Sequence, residues 1–174
     1  MVVTLLLLTF FLFSDILSKY FTEVYIPLGG NIEVIPNVLN LTLGYNTGMA
    51  FSMLDDSTLL LAILSLAASI AIIFLVRQND WETKKLYSVA STMLLAGTYG
   101  NMIDRFLTVF KLRKGVVDMI VFKPLDFISN LITGNDFAVF NIADAWLVVG
   151  VILLAIDILF LEERRKKKYG KNNS

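Results

Sequence analysis

The chain has 174 residues, 56% of them apolar, with a mean hydropathy of +0.71 and a formal net charge of zero. This composition is too apolar for an ordinary soluble domain and predicts an integral membrane protein. The sequence contains no cysteine and no histidine, which excludes disulfides, thiol nucleophiles, Ser-His-Asp triads and the usual zinc ligand sets. The remaining catalytic options are a carboxylate pair, a Ser/Lys dyad or a metal ion held by acids.

Four apolar segments are predicted to span the membrane, because roughly 20 helical residues cover the ~30 Å hydrocarbon layer. The predicted spans are about 2–21, 58–76, 86–106 and 141–161. No Lys or Arg precedes the first span and no small-x-small site follows it, so we expect it to be retained as a helix. The chain is therefore predicted to be a single, mostly α-helical membrane domain, 1–174.

The basic residues predict the orientation of these spans. Six of them fall within the last eleven residues: Arg164, Arg165, Lys166, Lys167, Lys168 and Lys171. The positive-inside rule places this tail in the cytoplasm, together with the 77–85 connection. Both termini are then cytoplasmic, and segments 22–57 and 107–140 are extracytoplasmic.

The first span carries two charges near its end, Asp15 and Lys19. Their i, i+4 spacing puts them on one helix face, where they can pair. One interpretation is a salt bridge that orients the end of the helix, and the other is a contribution to a site.

The first extracytoplasmic segment alternates apolar and polar residues over 39–46. This period of two predicts a half-buried strand or small sheet, followed by a turn at Asn46-Thr47-Gly48. A plain turn explains Asn and Gly there, since both tolerate positive φ.

The third span is less apolar, and its later part carries Gly97, Asn101 and Asp104 at i, i+4 and i+7. These residues form one polar stripe, whereas the adjacent Arg105 points in another direction. The stripe is interpreted either as a structural network between helices or as support for a site.

Two acids lie at unusual places in the second half of the chain. Asp118 is isolated within the strand-like segment 116–122, and Asp144 lies at the start of the last apolar run, three residues after Asn141. Asn141 and Asp144 also fit a helix-capping box. A carboxylate at the edge of the hydrocarbon layer favours a functional site. Asp157, near the other end of the run, is predicted to be a local partner of the terminal basic cluster.

The predicted topology brings polar residues from three of the four helices and from two loops to one face of the membrane, which favours an active site. These residues are Asp15, Lys19, Asn46, Asn101, Asp104, Arg105, Asp118, Asn141 and Asp144.

Five motifs carry a resemblance along nearly the whole chain: Asp15-x-x-x-Lys19, residues 46–51, residues 100–105, residues 116–118 and residues 140–144. With them the chain resembles the lipoprotein signal peptidases, the type II signal peptidases of bacteria, which are membrane aspartyl proteases of family A8. The resemblance implies four transmembrane helices, a small extracytoplasmic β-sheet that cradles substrate, and an extracytoplasmic loop between helices 3 and 4. It also implies removal of signal peptides from diacylglyceryl-modified prolipoproteins, by cleavage before the lipidated cysteine.

The resemblance further implies that Asp118 and Asp144 are the catalytic dyad. The family's supporting positions fall on Asp15, Lys19, Asn46, Gly48, Asn101, Asp104, Arg105 and Asn141. No cofactor, metal or nucleic acid is expected, and the implied protein is a monomer of the bacterial inner membrane, with lipids around it and its active site at the extracytoplasmic face.

Some positions depart from the family pattern. They are Met49, Ala96, Thr98, Met119 and the long segment 123–137. These residues are expected to affect substrate subsites and a loop that closes over the substrate, and to leave the dyad unaffected.

Two adjacent carboxylates are expected to share one proton and to activate a water molecule between them. Two other functions remain open from the residues alone. A proton-coupled transporter also uses intramembrane acids, although no inverted repeat relates the two halves of the chain. A Ser/Lys hydrolase would use Ser14 or Ser18 with Lys19.

Overall fold

The computed structural model describes residues 1–48 and 58–170, except for the side chains of 168–170. The helices are α1 (Val2–Tyr25), α2 (Thr58–Val76), α3 (Lys85–Val109), α4 (Asp126–Thr133), α5 (Ile142–Ile156) and α6 (Glu162–Gly170). The strands are β1 (Asn31–Ile35), β2 (Leu39–Asn46) and β3 (Val116–Phe122). Met49 lies outside the described residues, and so do Asp55, Asp56 and Ser57, whose residue types are typical of a helix start.

Three helices in the described part of the chain are long and apolar enough to cross a membrane: Val2–Tyr25, Thr58–Val76 and Ile142–Lys167. The prediction of four membrane spans therefore holds for three of them, because α3, with 25 residues, is long enough but not apolar enough. The lower apolarity of α3 follows from its position in the fold. The α3 helix packs against α1, α2 and α5, and 13 of its 25 residues are buried. A helix enclosed by other helices can carry small and polar residues that lipid would disfavour.

Two helix ends differ from their predicted positions. The α1 helix continues to Tyr25, beyond the predicted end at about 21. The α5 helix passes through a π-helical turn, Asp157–Leu161, and continues as α6. Asp157 in this turn is buried and accepts hydrogen bonds from the Arg165 guanidinium at 2.7 and 2.6 Å. Its predicted pairing with the terminal basic cluster is confirmed.

The three strands form one antiparallel sheet in the order β1-β2-β3. The predicted strand 39–46 is present as β2, and the strand-like segment 116–122 is present as β3. Apolar side chains of β2 and β3 pack with Ile26, which follows α1, in a small core of Ile26, Leu43, Val117 and Met119. The sheet is thereby fixed to the end of α1.

The segment predicted as a loop, 107–140, contains regular structure. After β3 come a 3₁₀ turn, Lys123–Leu125, and the short helix α4. The α4 helix ends at Gly134, whose φ of 74° is the left-handed conformation that favours glycine at a helix end.

Phe140 connects the sheet to the last helix. Its carbonyl accepts hydrogen bonds from the backbone N–H groups of Met119 (3.0 Å) and Ile120 (2.8 Å), and its own N–H donates to the Ile120 carbonyl at 3.1 Å. The residue that precedes the α5 cap is therefore tied to β3. This pairing sets the start of α5 beside Asp118.

Gly100 allows a close approach of three helices. A Cβ built on it would lie 2.3 Å from a carboxylate oxygen of Asp15 and 3.1 Å from the Ala143 Cβ. Glycine at this position lets α1 and α5 both contact α3, as is common where membrane helices pack closely.

Candidate active site

Asp118 and Asp144 line the same cavity, which has a volume of about 320 Å³. Asp118 comes from β3 and is 5% exposed, whereas Asp144 comes from the first turn of α5 and is half-buried. The cavity lining also includes four predicted supporting residues: Asn46, Gly48, Asn101 and Arg105. The pairing of Phe140 with β3 explains how acids 26 residues apart in sequence reach one cavity.

Two asparagine amides hold the Asp118 carboxylate. Asn141 Nδ2 donates to Oδ1 at 2.7 Å, and Asn46 Nδ2 donates to Oδ2 at 3.0 Å. The Gly48 N–H donates to Asn46 Oδ1 at 3.1 Å, which turns the Asn46 amide nitrogen towards the carboxylate. The Asn46-Thr47-Gly48 turn is therefore both a turn and a support for Asp118.

Asp144 is held from two sides. Asn101 Nδ2 donates to its Oδ1 at 2.8 Å, and the Asn141 backbone N–H donates to its Oδ2 at 3.1 Å. Asn141 Oδ1 in turn accepts from the Asp144 N–H at 3.0 Å, which completes the predicted capping box. Asn141 and Asp144 therefore cap α5, while Asp144 also lines the cavity and Asn141 also donates to Asp118.

Asn141 joins the two acids. Its completely buried amide donates to Asp118 Oδ1 and to Asn101 Oδ1, while its backbone donates to Asp144. Three asparagines therefore hold both carboxylates in one hydrogen-bonded unit.

The environment of Asp118 favours its protonated form. Burial, and after it the negative charge of Asp144, raise the pKa of the Asp118 carboxyl from its ordinary value of 3.8 to about 6, although the Asn46 and Asn141 hydrogen bonds act in the opposite direction. The two carboxyl groups therefore influence each other across the cavity.

A buried ionic network lies behind the asparagines. Lys19 is 1% exposed, and its ammonium is 2.8 Å from Asp15 Oδ2 and 2.8 Å from Asp104 Oδ2. It also donates to Asn101 Oδ1 at 3.3 Å. Asp15 Oδ1 accepts from the Ala143 N–H at 2.9 Å, so the network also holds the first turn of α5.

Two members of this network were not predicted from the sequence. Arg113 pairs with Asp104 through one guanidinium nitrogen and with Glu23 Oε2 through the other, at 2.6 Å. Glu23 also accepts a hydrogen bond from the Tyr45 hydroxyl at 3.1 Å. Arg113 lies in a short basic run whose pattern indicates only exposed charge, so its sequence gave no signal for this role.

Arg105 faces away from Asp104, as predicted. Its Nη1 donates to Ser65 Oγ on α2 at 3.0 Å, and it has no direct hydrogen bond to either dyad carboxylate among the described residues. Its buried Nε has no acceptor within the part of the chain that the structure describes. Arg105 itself lines the wall of the cavity.

The contacts of Lys19 contradict the Ser/Lys alternative. The Lys19 ammonium is occupied by two carboxylates and an amide, whereas the Ser18 and Ser14 hydroxyls donate to backbone carbonyls of α1 at 2.8 and 2.7 Å. An ammonium paired with two acids cannot serve as a general base for either serine.

Two further cavities of similar size flank Asp144. One, of about 310 Å³, is lined by apolar side chains of α5 and of the segment before it, including Phe137, Phe140 and Val148. The other, of about 300 Å³, lies between α2, α3 and α5 and includes Arg105. Asp144 thus borders three openings.

Helices suited to a membrane and a cavity with two facing carboxylates define a membrane-embedded aspartic peptidase. The family model for signal peptidase (SPase) II matches residues 7–160. The chain belongs to the signal peptidase II family.

Individual relatives agree with this assignment. The chain is 34% identical to a lipoprotein signal peptidase of Staphylococcus aureus (strain bovine RF122 / ET3-1), over 95% of this chain and 93% of the relative. It is 38% identical to one of Enterococcus faecalis (strain ATCC 700802 / V583), over 98% and 99% of the two chains. Two solved structures described as bacterial membrane enzymes superpose with TM-scores of 0.75 and 0.74 at 33% and 34% identity. They cover 91% and 92% of this chain, which corresponds to 88% and 95% of their own.

Proposed function

We propose that this protein removes signal peptides from diacylglyceryl-modified prolipoproteins, cleaving before the lipidated cysteine with a water molecule activated by Asp118 and Asp144. The observation that carries the proposal is the single cavity in which three asparagine amides hold both carboxylates. Family membership supplies the class of substrate, since the curated relatives are named lipoprotein signal peptidases.

In the proposed mechanism Asp118 starts protonated and Asp144 starts ionised. Asp118 is the more buried acid and has the raised pKa. Asp144 lies in the first turn of α5, where its carboxylate accepts hydrogen bonds from the Asn101 amide and the Asn141 N–H. The sequence alone left this assignment open.

The proton transfers follow from that starting state. Asp144 takes a proton from the water as its oxygen attacks the scissile carbonyl carbon, and Asp118 gives its proton to the carbonyl oxygen. Collapse of the tetrahedral intermediate returns one hydroxyl proton to Asp118, and Asp144 passes its proton to the leaving amine. The dyad is then restored for the next cycle.

The same proposal includes α3 as a fourth membrane crossing. Its 25 residues extend about 37 Å, enough for the hydrocarbon layer. With the basic C-terminal residues in the cytoplasm, the sheet and the dyad lie at the extracytoplasmic surface. A lipid-anchored substrate then keeps its acyl chains in the membrane while its peptide crosses the cavity.

The surroundings of the dyad cavity suit a lipid-anchored substrate. The apolar cavity beside Phe140 opens along α5 towards the lipid-facing side chain of Val148, which is 59% exposed. Arg105 lies at the cavity wall, where a substrate carbonyl would pass. We propose that α4, whose Phe127 and Leu131 are 77% and 79% exposed, closes over the bound peptide.

Cleavage by purified protein in detergent tests the proposed function. A diacylglyceryl-modified prolipoprotein is expected to yield a mature product that begins with the lipidated cysteine, as determined by mass spectrometry. The same precursor without the diacylglyceryl group serves as the control and is expected to be cleaved much more slowly. Cleavage at another bond, or no cleavage of the lipidated precursor, would contradict the proposal.

The raised pKa of Asp118 predicts how stability depends on pH. The folded-state pKa of about 6 exceeds the ordinary value of 3.8, so the stabilising contribution of protonated Asp118 is complete below about pH 4 and is lost as the pH rises through 6. Relative to Asp118→Asn, the wild-type free energy of unfolding should therefore fall by roughly 2–3 kcal/mol between pH 4 and pH 8. Chemical unfolding of both proteins across this pH range measures the difference. If the free energies of unfolding of the two proteins changed with pH in the same way, the raised pKa of Asp118 would be contradicted.

A further inference from the structure

Arg113 is the outermost residue in a series of polar contacts that leads from the protein surface to the dyad. Its side chain is 19% exposed and lies between Glu23 and Asp104. Asp104 contacts Lys19, Lys19 contacts Asn101, and the Asn101 amide donates to Asp144. Each step of this path is a direct polar contact between described side chains.

The buried acids in this series of contacts need a second cation besides Lys19. Without it, Asp15 and Asp104 share one cation, Lys19, and all three side chains are at most 3% exposed. A buried acid without its cation is strongly destabilising. Arg113 supplies a second positive charge beside Asp104, which it shares with the less buried Glu23.

The ion pairs of Lys19 also affect the orientation of the Asn101 side chain. The Lys19 ammonium has three N–H donors and three acceptors: Asp15 and Asp104, each at 2.8 Å, and Asn101 Oδ1 at 3.3 Å. The bond to Asn101 is the longest and therefore the first to be lost when the ammonium moves towards an unbalanced Asp104. Without that bond the Asn101 Oδ1 would accept only from the Asn141 amide, at 3.1 Å, so the Asn101 amide that donates to Asp144 would be held less firmly.

We propose that Arg113 is a positioning residue for the dyad, which acts through Asp104, Lys19 and Asn101 on the orientation of Asp144. The inference rests on the proposed function, since it assigns the chain of contacts to catalysis. Arg113 touches neither dyad carboxylate among the described contacts, so its effect falls on the rate of the chemical step and not on substrate binding.

Steady-state kinetics of Arg113→Met test the proposal. We expect kcat to fall roughly 10- to 100-fold, because a misplaced catalytic group costs about this much, with KM changed by less than about twofold. Lys114→Met is the matched control, since it removes the same charge from the next, exposed residue. It should leave both constants near those of the wild type. Arg113→Lys restores a cation beside Asp104 and should recover a large part of kcat.

A second variant keeps the test decisive if Arg113→Met does not fold. Arg113→Gln retains amide donors for both neighbours but lacks the charge, and it should show the same selective loss of kcat. A kcat within about twofold of wild type in a folded Arg113 variant, or a loss that lies only in KM, would overturn the inference. Activity of Asp118→Asn, measured alongside, separates the two failures: if it is inactive, only the role of Arg113 is wrong, and if it remains active, the proposed function fails as well.

Discussion

Asparagine in place of Asp144 is expected to lower the rate of prolipoprotein cleavage by on the order of 10³-fold or more, which is the range for loss of a general acid–base group. The substitution keeps the size of the side chain but removes the base that takes a proton from water. Asp118→Asn should have a similar effect, because it removes the acid that stabilises the carbonyl oxygen. The double variant should be little worse than either single one, since the two groups act as a unit.

Two controls accompany these variants. Glu163→Gln changes an exposed acid of α6, outside the cavity that holds the dyad, and should retain activity. Thermal unfolding should show that both dyad variants are folded. If either folded dyad variant kept more than about a tenth of the wild-type rate, its carboxylate would not be the essential acid or base.

Methionine in place of Lys19 should cause the largest loss of stability, about 3–5 kcal/mol, since it leaves the buried carboxylates of Asp15 and Asp104 without their shared cation. Chemical unfolding in detergent measures the change. Asp104 keeps Arg113 as a partner, so the double variant Lys19→Met/Asp15→Asn removes the acid that is left without a cation and should recover at least half of the loss. A loss below about 1 kcal/mol for Lys19→Met would show that the network behaves as an exposed ion pair.

Some of the proposed site residues could be selected from the sequence because they break a local pattern. Asp118 interrupts an apolar strand, and Asn101 and Asp104 form a polar stripe on a helix. Helical and strand periodicity then place these residues at the same end of the molecule. The structure brings all ten predicted site residues into one connected region.

The partners that depend on tertiary packing were not visible in the sequence. Arg113 lies in a basic run and Ser65 in an uncharged apolar helix, so neither breaks its local pattern. The same limit applies to α3. Its length and polar stripe were recognised, but the apolarity expected of a lipid-facing span does not apply to a helix surrounded by three others. The helix α4 within 107–140 was missed because it is only eight residues long.

The central claim is that Asp118 and Asp144 act on each other across one cavity. Infrared spectroscopy of the protonated carboxyl group tests it most directly, by following the titration of Asp118 in the wild type and in Asp144→Asn, with Asp118→Asn to identify the band. Because the charge of Asp144 contributes to the raised pKa of Asp118, the band should titrate near pH 6 in the wild type and at clearly lower pH in Asp144→Asn. An unchanged titration in Asp144→Asn would mean that the two carboxyl groups do not interact, and the account of a shared proton would be wrong.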